Sequence, residues 1–314
     1  MDSGRFFEEK FAELNLTKIQ EKDISRRVNG SPIYEGNQIE LIYFNPEKIN
    51  CRNRLLNYLK YMKDTNNEFT IKNLIGYTIL SDRHYFVLEK INDEKTLSEF
   101  VKNMTFLEKL TIFLRLIEII YYFHYTLKIT LKILSTNNVY VKDDELKLNV
   151  SNLKRVIDEC SFDKFKKETL YFEYLPPDLF DIQNSDIDGE IEYKNEGNIW
   201  SLGCIMSELI SGYIPWYNKY SKNEIVIIKL LVKKVPFPIP SIINNLNPSV
   251  YNIIEDCTNT EPSKRPSLDG ILKKLRGLVR NKENIYSLIF TMKNHERLRQ
   301  LNKKYLVSSI YKYM

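Results

Sequence analysis

A polar loop at residues 130–141, TLKILSTNNVYV, carries side chains whose types could do chemistry. It follows an apolar segment that ends in Phe-His, and it leads into a short β-branched run. Asn137 or Asn138 offers an amide oxygen, a ligand type that hard cations accept. Lys132 offers an ammonium group with a reference pKa of about 10.4, which cannot accept a substrate proton at neutral pH unless it is heavily desolvated. Since one amide does not hold a metal ion, the asparagines are better explained by turn formation before a strand.

Secondary-structure signals divide the chain into a β-rich first part and a helical second part. Residues 33–44 and 84–91 are rich in β-branched and aromatic residues and predict strands, whereas residues 51–64 repeat apolar residues at helical spacing. Two short strands are expected at 138–142 and 145–149, and the chain then looks irregular as far as 195. Helices are expected from about 96 and over 105–125, 199–211, 223–232, 248–257 and 267–280. A small β-rich lobe followed by a large helical lobe is an α+β, bilobal arrangement.

An apolar stripe at residues 6–19 predicts a short amphipathic helix before the first strands. This helix is expected to pack on the domain that follows it. The stripe consists of Phe7, Phe11, Leu14 and, less regularly, Leu16 and Ile19.

Composition excludes several function classes. A net charge of +5 over 314 residues does not favour nucleic-acid binding. The four cysteines form no Cys-x-x-Cys pair, so zinc and redox spacings are absent. The first residues lack a signal-peptide core, and charged residues interrupt the most apolar segment at 105–125. We therefore expect a reduced, cytoplasmic protein without membrane insertion.

Three further motifs follow the loop in a fixed order. They are YLPPDLF at 174–180, NIWSLGCIMSELISGYIPW at 198–216 and EPSKRPSLDGILKKL at 261–275. Together with the loop, they resemble the catalytic loop, the Ala-Pro-Glu segment and the C-terminal helices of protein kinases. The resemblance implies the bilobal protein-kinase-like fold.

The same resemblance assigns structural roles to four residues. Asp178 falls at the position of the glutamate in the Ala-Pro-Glu motif, and Arg265 is expected to form a buried ion pair with it. Asn198 replaces an Asp that accepts backbone hydrogen bonds from the catalytic loop, and its amide oxygen can still accept one. Trp200 lies in the same motif. If Asp178 and Arg265 were solvated surface charges, the kinase assignment would be weaker.

Phosphoryl transfer in a protein kinase needs a phosphate cradle, a lysine–glutamate pair, a base and a metal ligand. The resemblance places Ile42 at the strand lysine, Tyr58 near its glutamate partner, Lys132 at the base and Val150 at the Asp-Phe-Gly aspartate. The glycine-loop positions are also changed: they fall on Arg26, Val28 and Ser31, with Gly30 one residue out of register. The sequence therefore predicts a pseudokinase with no cofactor, no metal and no catalytic residue.

Finer motifs resemble the mixed lineage kinase domain-like pseudokinase family of necroptosis. The loop KILSTN at 132–137 and the segment IIEDCTNTEPSKRPSLDGILKKL at 253–275 carry this resemblance, with support from GYIPW at 212–216. Two departures are visible: Ile42 replaces a lysine that the family keeps, and only about twenty residues precede the kinase frame, too few for the family's N-terminal four-helix bundle. With a composition typical of an AT-rich genome, the chain resembles a poxviral mimic of that family.

The family resemblance implies a partner and a function. We expect the protein to bind and sequester the receptor-interacting kinase of necroptosis in the host cytoplasm, as a monomer or as a heterodimer with that kinase. This would block phosphorylation of the host's own member of the family, the pseudokinase that executes necroptotic cell death (the executioner). Other interpretations are a generic pseudokinase scaffold, an atypical active serine/threonine kinase and a host-type executioner. The predicted contact residues are Ser161, Thr169, Phe172, Tyr174, Phe180, Arg54 and Tyr58.

The predicted domain organisation has three parts. Residues 1–22 form a brace-like helix, and residues 23–280 form the pseudokinase domain, with its N-lobe to about 91 and its C-lobe from about 92. Residues 281–314 form a basic helical extension.

Overall fold

A computed structural model of the chain describes residues 3–26, 32–66, 69–91, 94–132, 134–142, 145–151, 153–160, 171–180, 194–220 and 222–280. The structure divides into two compact units. The first consists of Met1–Lys95, Asn138–Lys142 and Lys147–Leu170, and the second of Thr96–Asn137, Asp143–Leu146 and Tyr171–Met314.

Strands are present in each predicted segment (33–44, 84–91, 138–142 and 145–149), and further strands lie outside them. They are β1 (Thr17–Ile19), β2 (Ile24–Arg26), β3 (Pro32–Tyr34), β4 (Asn37–Phe44), β5 (Thr70–Ile71), β6 (Leu74–Leu80), β7 (Arg83–Glu89), β8 (Lys95–Thr96), β9 (Val139–Lys142) and β10 (Glu145–Asn149). The helices are α1 (Ser3–Glu13), α2 (Arg52–Thr65), α3 (Leu97–Phe100), α4 (Phe106–Tyr121), α5 (Leu153–Cys160), α6 (Asn195–Ser211), α7 (Glu224–Val232), α8 (Ser241–Leu246), α9 (Pro248–Cys257) and α10 (Leu268–Arg280).

The first unit is built on a six-stranded sheet with the order β1-β6-β7-β4-β3-β2. The predicted strand at 33–44 is a hairpin of β3 and β4, because Glu35 and Gly36 have φ of 49° and 79° and turn the chain between them. Strand β1 pairs in parallel with β6 at the sheet edge. A second sheet has the order β5-β10-β9-β8.

The N-terminal helix is shorter than the apolar stripe suggested. It ends at Glu13, where Asn15 adopts a left-handed φ of 51°. The backbone N–H of Leu16 donates to the carbonyl of Phe11 at 2.9 Å and that of Asn15 to Ala12 at 2.9 Å, the pattern of a Schellman cap. The expected helix over 6–19 is therefore corrected, since Ile19 lies in a strand.

The rings of α1 complete the core of the first unit. Phe7 and Phe11 are fully buried. Phe11 lies 4.8 Å from Tyr77 and 5.4 Å from Phe86, measured between ring centroids. Phe7 makes an edge contact with Phe44 at 5.8 Å. Because large aromatic rings dominate core burial, α1 is an integral part of this unit.

The second unit surrounds α6. This helix is buried along nearly its whole length, and it packs against α4, α8 and α9. Gly203 lies where α6 meets α9, and a Cβ there would come within 2.8 Å of the Cys257 Cβ. Capping boxes begin α3 at Thr96 and α4 at Thr105. No helix among the described residues is both long and apolar enough to cross a membrane.

Candidate functional site

The side chain of Tyr58 defines the candidate site in the first unit. Helix α2 places Tyr58 on its buried face, with 6% of the residue exposed. Its hydroxyl donates a hydrogen bond of 3.1 Å to the backbone carbonyl oxygen of Val150. Val150 directly follows β10 and is itself 6% exposed. A neutral hydrogen bond thus links Tyr58, predicted to lie near the glutamate position of a kinase, to Val150, predicted at the position of the metal-binding aspartate.

Ile42, predicted at the strand-lysine position, lies on β4 and points into the same core. It is 7% exposed and belongs to one apolar cluster with Tyr58. Burying an isolated ammonium among these apolar side chains would be costly. The cluster consists of Phe7, Phe11, Ile42, Phe44, Ile49, Leu55, Tyr58, Leu59, Met62, Leu74, Tyr77, Phe86, Leu88, Leu153, Val156, Ile157 and Cys160.

Helix α5 begins three residues after Val150, in a region where the sequence predicted irregular structure. Its apolar side chains recur at helical spacing and enter the cluster beside α2; they are Leu153, Val156, Ile157 and Cys160. The backbone N–H of Asn50 also donates to the carbonyl of Cys160 at 2.9 Å. The stretch that follows Val150 is therefore anchored in the core of the first unit.

The predicted base position lies in the second unit. Lys132 is half-buried and lines a cavity of about 10 Å³ together with Leu131, Leu134 and Asn198. This volume is close to the minimum for a single water molecule. Asn137 is half-buried in the turn before β9, in agreement with the turn role.

Asn198 holds the loop by two backbone hydrogen bonds. Its Oδ1 accepts from the Leu131 N–H at 3.0 Å, as predicted, and its Nδ2 donates to the Leu131 carbonyl at 2.8 Å. The second bond fixes the orientation of the amide, so His124, whose Nε2 lies 2.8 Å from the same Oδ1, must carry its proton on Nε2. Burial lowers the pKa of His124, which favours this neutral form.

The predicted Asp178–Arg265 pair is present. The guanidinium of Arg265 is completely buried and donates from Nη2 to the carboxylate of Asp178. It also donates from Nη1 to the carbonyl of Glu196 at 2.9 Å and from Nε to that of Asn259 at 2.8 Å. Its Cζ lies 5.3 Å from the ring centroid of Trp200, which is a cation–π contact. Each nitrogen of the guanidinium thus has an acceptor.

Two of the predicted partner contacts are buried. Tyr58 points into the core, and Tyr174 is 2% exposed. A buried ring does not reach a partner unless the unit rearranges, so both residues serve internal packing in this structure. Phe172 and Phe180 are half-buried, and Arg54 is exposed on α2. Ser161 and Thr169 lie outside the described residues.

A buried polar cluster around Tyr174 was not predicted from the sequence. The Tyr174 hydroxyl donates to the carboxylate of Glu208, which also accepts from Thr136 at 2.9 Å and from Ser98 at 3.3 Å. Burial raises the pKa of Glu208. The sequence feature that could have indicated this cluster is Glu208, an acidic residue in the largely apolar second half of α6. A buried carboxylate requires hydrogen-bond donors.

This combination of a β-rich first unit, a helical second unit and a kinase-type loop defines a protein-kinase-like protein. A model of the protein kinase domain family matches residues 42–275, which is well over half of the chain. The chain therefore belongs to the protein kinase domain family, and the predicted α+β fold is confirmed.

The chain is also similar to several kinase-related proteins. It is 35% identical over 91 residues to the serine/threonine-protein kinase CTR1 of Arabidopsis thaliana, which covers 29% of this chain and 10% of the relative. It is 27% identical over 164 residues to the receptor-type guanylate cyclase gcy-7 of Caenorhabditis elegans, covering 50% and 14%. A third relative is the G2-specific protein kinase nim-1 of Neurospora crassa, at 24% identity over 178 residues, covering 54% and 19%. The chain spans less than a quarter of each relative.

Proposed function

We propose that this protein is a catalytically inactive kinase domain that binds and sequesters the receptor-interacting kinase of necroptosis. The hydrogen bond between Tyr58 and Val150 carries the first half of this proposal. The family resemblance in the C-terminal segment at 253–275 carries the second half. Sequestration would prevent phosphorylation of the necroptotic executioner and so keep the cell alive.

The proposed inactivity follows from the side chains that a magnesium nucleotide would meet. A kinase holds the phosphates with a strand lysine that is paired with a glutamate, and it holds the metal through an aspartate oxygen. Here Ile42 offers no charge, Tyr58 offers a hydroxyl that donates to Val150, and the Val150 side chain offers no oxygen. These residues do not fit magnesium ATP, and we derive no step through it.

The structure favours some of the predicted contact residues over others. Arg54 is exposed on α2 in the first unit, and Phe172 and Phe180 are half-buried in the turns Phe172–Tyr174 and Pro177–Phe180 of the second. Aromatic and arginine side chains dominate binding energy at interfaces. We therefore assign the kinase contacts to Arg54 on the first unit and to Phe172 and Phe180 on the second.

Nucleotide binding is tested first, by thermal unfolding of the purified protein. The midpoint is expected to stay unchanged on addition of ATP with or without magnesium, since a ligand raises stability only by binding the folded state. A magnesium-dependent rise of several degrees would support an atypical active kinase and overturn the claim of inactivity.

Partner binding is tested with the purified kinase domain of the receptor-interacting kinase. Wild type is expected to bind it, and Arg54→Glu is expected to weaken binding about tenfold, the equivalent of about 1.4 kcal/mol. Arg5→Glu is the matched control, because the Arg5 side chain is 77% exposed on α1 and is not among the assigned contacts. Absence of binding by the wild type would leave a generic scaffold with another partner.

An experiment in cells distinguishes sequestration of the kinase from execution of cell death by the protein itself. After a necroptotic stimulus, cells that express the protein are expected to survive, with the executioner unphosphorylated and the two kinase-like chains co-precipitating. Death caused by expression alone would favour an executioner. Protection without co-precipitation would contradict sequestration.

A further inference from the structure

Helix α7 has apolar side chains on two opposite faces. Its sequence, EIVIIKLLV, contains only two charged residues. Ile227 and Leu231 are fully buried and attach the helix to the second unit. Ile225 and Val232 are 58% and 56% exposed. A surface helix normally turns polar residues outward, so the outer face of α7 departs from the usual amphipathic pattern.

The exposed residues of α7 form one continuous stripe. Ile225, Lys229 and Val232 are separated by four and three residues, which places them next to one another on the outside of a helix. Ile228, which is half-buried, borders the same stripe. We call this the outer face of α7: Ile225, Ile228, Lys229 and Val232. An apolar stripe of this kind marks a contact site more often than isolated exposed residues do.

Exposed lysines lie on α7 and among the residues just before and after it. Between residues 219 and 234 the only acidic residue is Glu224. Two of the lysines lie over tyrosine rings, Lys219 over Tyr220 and Lys222 over Tyr217. The exposed lysines of this stretch are Lys219, Lys222, Lys229, Lys233 and Lys234. An apolar stripe with a basic rim is complementary to an apolar segment that carries negative charge.

Helix α7 adjoins the kinase contacts that we assign to the second unit. It packs against both turns that carry Phe172 and Phe180. The loop before α7 is tied to the first of these turns, because Trp216 Nε1 donates to the Glu173 carbonyl at 3.1 Å and the Tyr217 hydroxyl donates to the Glu173 carboxylate. Helix α7 is thus adjacent to the contacts assigned on other grounds.

We propose that the outer face of α7 docks an acidic segment of the partner kinase that presents apolar side chains. Ile225 and Val232 are the apolar anchors, and Lys229 and Lys233 pair with the partner's carboxylates. This inference rests on the proposed function. It adds a second set of contacts beside Phe172 and Phe180 and gives binding a salt dependence, because exposed charge pairs are screened by ions.

The test compares two charge-introducing variants that are matched in exposure. Ile225→Glu is expected to weaken binding of the purified kinase domain at least about tenfold. Leu246→Glu is the control, since Leu246 on α8 is also 58% exposed and lies outside the outer face of α7. It is expected to bind like wild type. Circular dichroism and thermal unfolding confirm that both variants remain folded.

A second pair of measurements tests the charge. The affinity of wild type for the kinase domain is expected to fall as the salt concentration rises. The double variant Lys229→Glu/Lys233→Glu is expected to bind more weakly and to show a smaller change of affinity with salt concentration. No binding by wild type overturns the proposed function and the inference with it. Wild-type binding that Ile225→Glu leaves intact overturns the inference alone. The inference is also overturned if Ile225→Glu leaves kinase binding intact and instead abolishes self-association of the protein or its binding to vesicles of anionic phospholipid.

Discussion

The phenol of Tyr58 and the backbone carbonyl of Val150 are joined by a buried hydrogen bond of 3.1 Å, although the two residues lie 92 positions apart. The bond fixes α2 to the segment that leads from β10 into α5. The sequence predicts that these two residues stand at positions whose side chains serve a lysine and a metal ion in an active kinase. Here the pair serves the fold.

Tyr58→Phe isolates the contribution of this bond. The variant keeps the ring and removes the hydroxyl, so the Val150 carbonyl loses its donor. We expect a loss of about 1 kcal/mol in the free energy of unfolding. Urea denaturation measures it, and Tyr43→Phe on the exposed side of β4 is the control, since Tyr43 is 51% exposed. Equal stability of Tyr58→Phe and wild type would contradict this role.

Arg265 and Asp178 are expected to be strongly coupled. Arg265→Ala should cost about 3–5 kcal/mol, because it leaves a carboxylate and two backbone carbonyls without their donor. Asp178→Ala should cost less, since two acceptors for the guanidinium remain. A double-mutant cycle should give a coupling energy of about 0.5–3 kcal/mol. Small, additive losses would show that the pair contributes little.

Gly76 is expected to tolerate no side chain. A Cβ at this position would lie 2.2 Å from the Thr17 carbonyl oxygen, which is backbone and has little room to move. Gly76→Ala should displace β1 from β6 and increase hydrogen exchange at residues 17–19. Gly277→Ala in α10 is the control, because a Cβ at Gly277 would have no described atom within 4 Å outside its own helix and neighbours. It should be neutral or stabilise the helix by up to about 1 kcal/mol. Unchanged exchange in Gly76→Ala would contradict the expected clash.

His124 is expected to make stability depend on pH. Burial lowers its pKa in the folded state below the ordinary value of about 6.5, so the unfolded chain binds the proton more readily. The contribution of neutral His124 is therefore complete above pH 6.5 and is lost as the pH falls towards the folded-state pKa. The urea midpoint of wild type should fall more between pH 7.5 and 5.5 than that of His124→Gln. Parallel curves would exclude His124 as the source.

The sequence predicted the Asp178–Arg265 pair and the backbone contact of Asn198 because each residue lies within a motif whose spacing is fixed. It did not predict α5, although Leu153, Val156, Ile157 and Cys160 follow helical spacing. Eight residues are too few for a stable helix in isolation, so α5 depends on its packing against α2. The burial of Tyr174 was equally hidden, since it depends on Glu208 and Thr136, which are distant in sequence.

The packing of α1 also has a consequence during synthesis. Phe11 contacts Tyr77 and Phe86, which the ribosome adds 66 and 75 residues later. At about 5–20 residues per second, α1 waits roughly 4–15 s before its last ring partner is made. Over that interval Phe7 and Phe11 are exposed on the nascent chain, where chaperones can bind an apolar segment. Helix α1 thus completes its ring contacts only after β7 has been made, although it precedes β7 in the chain.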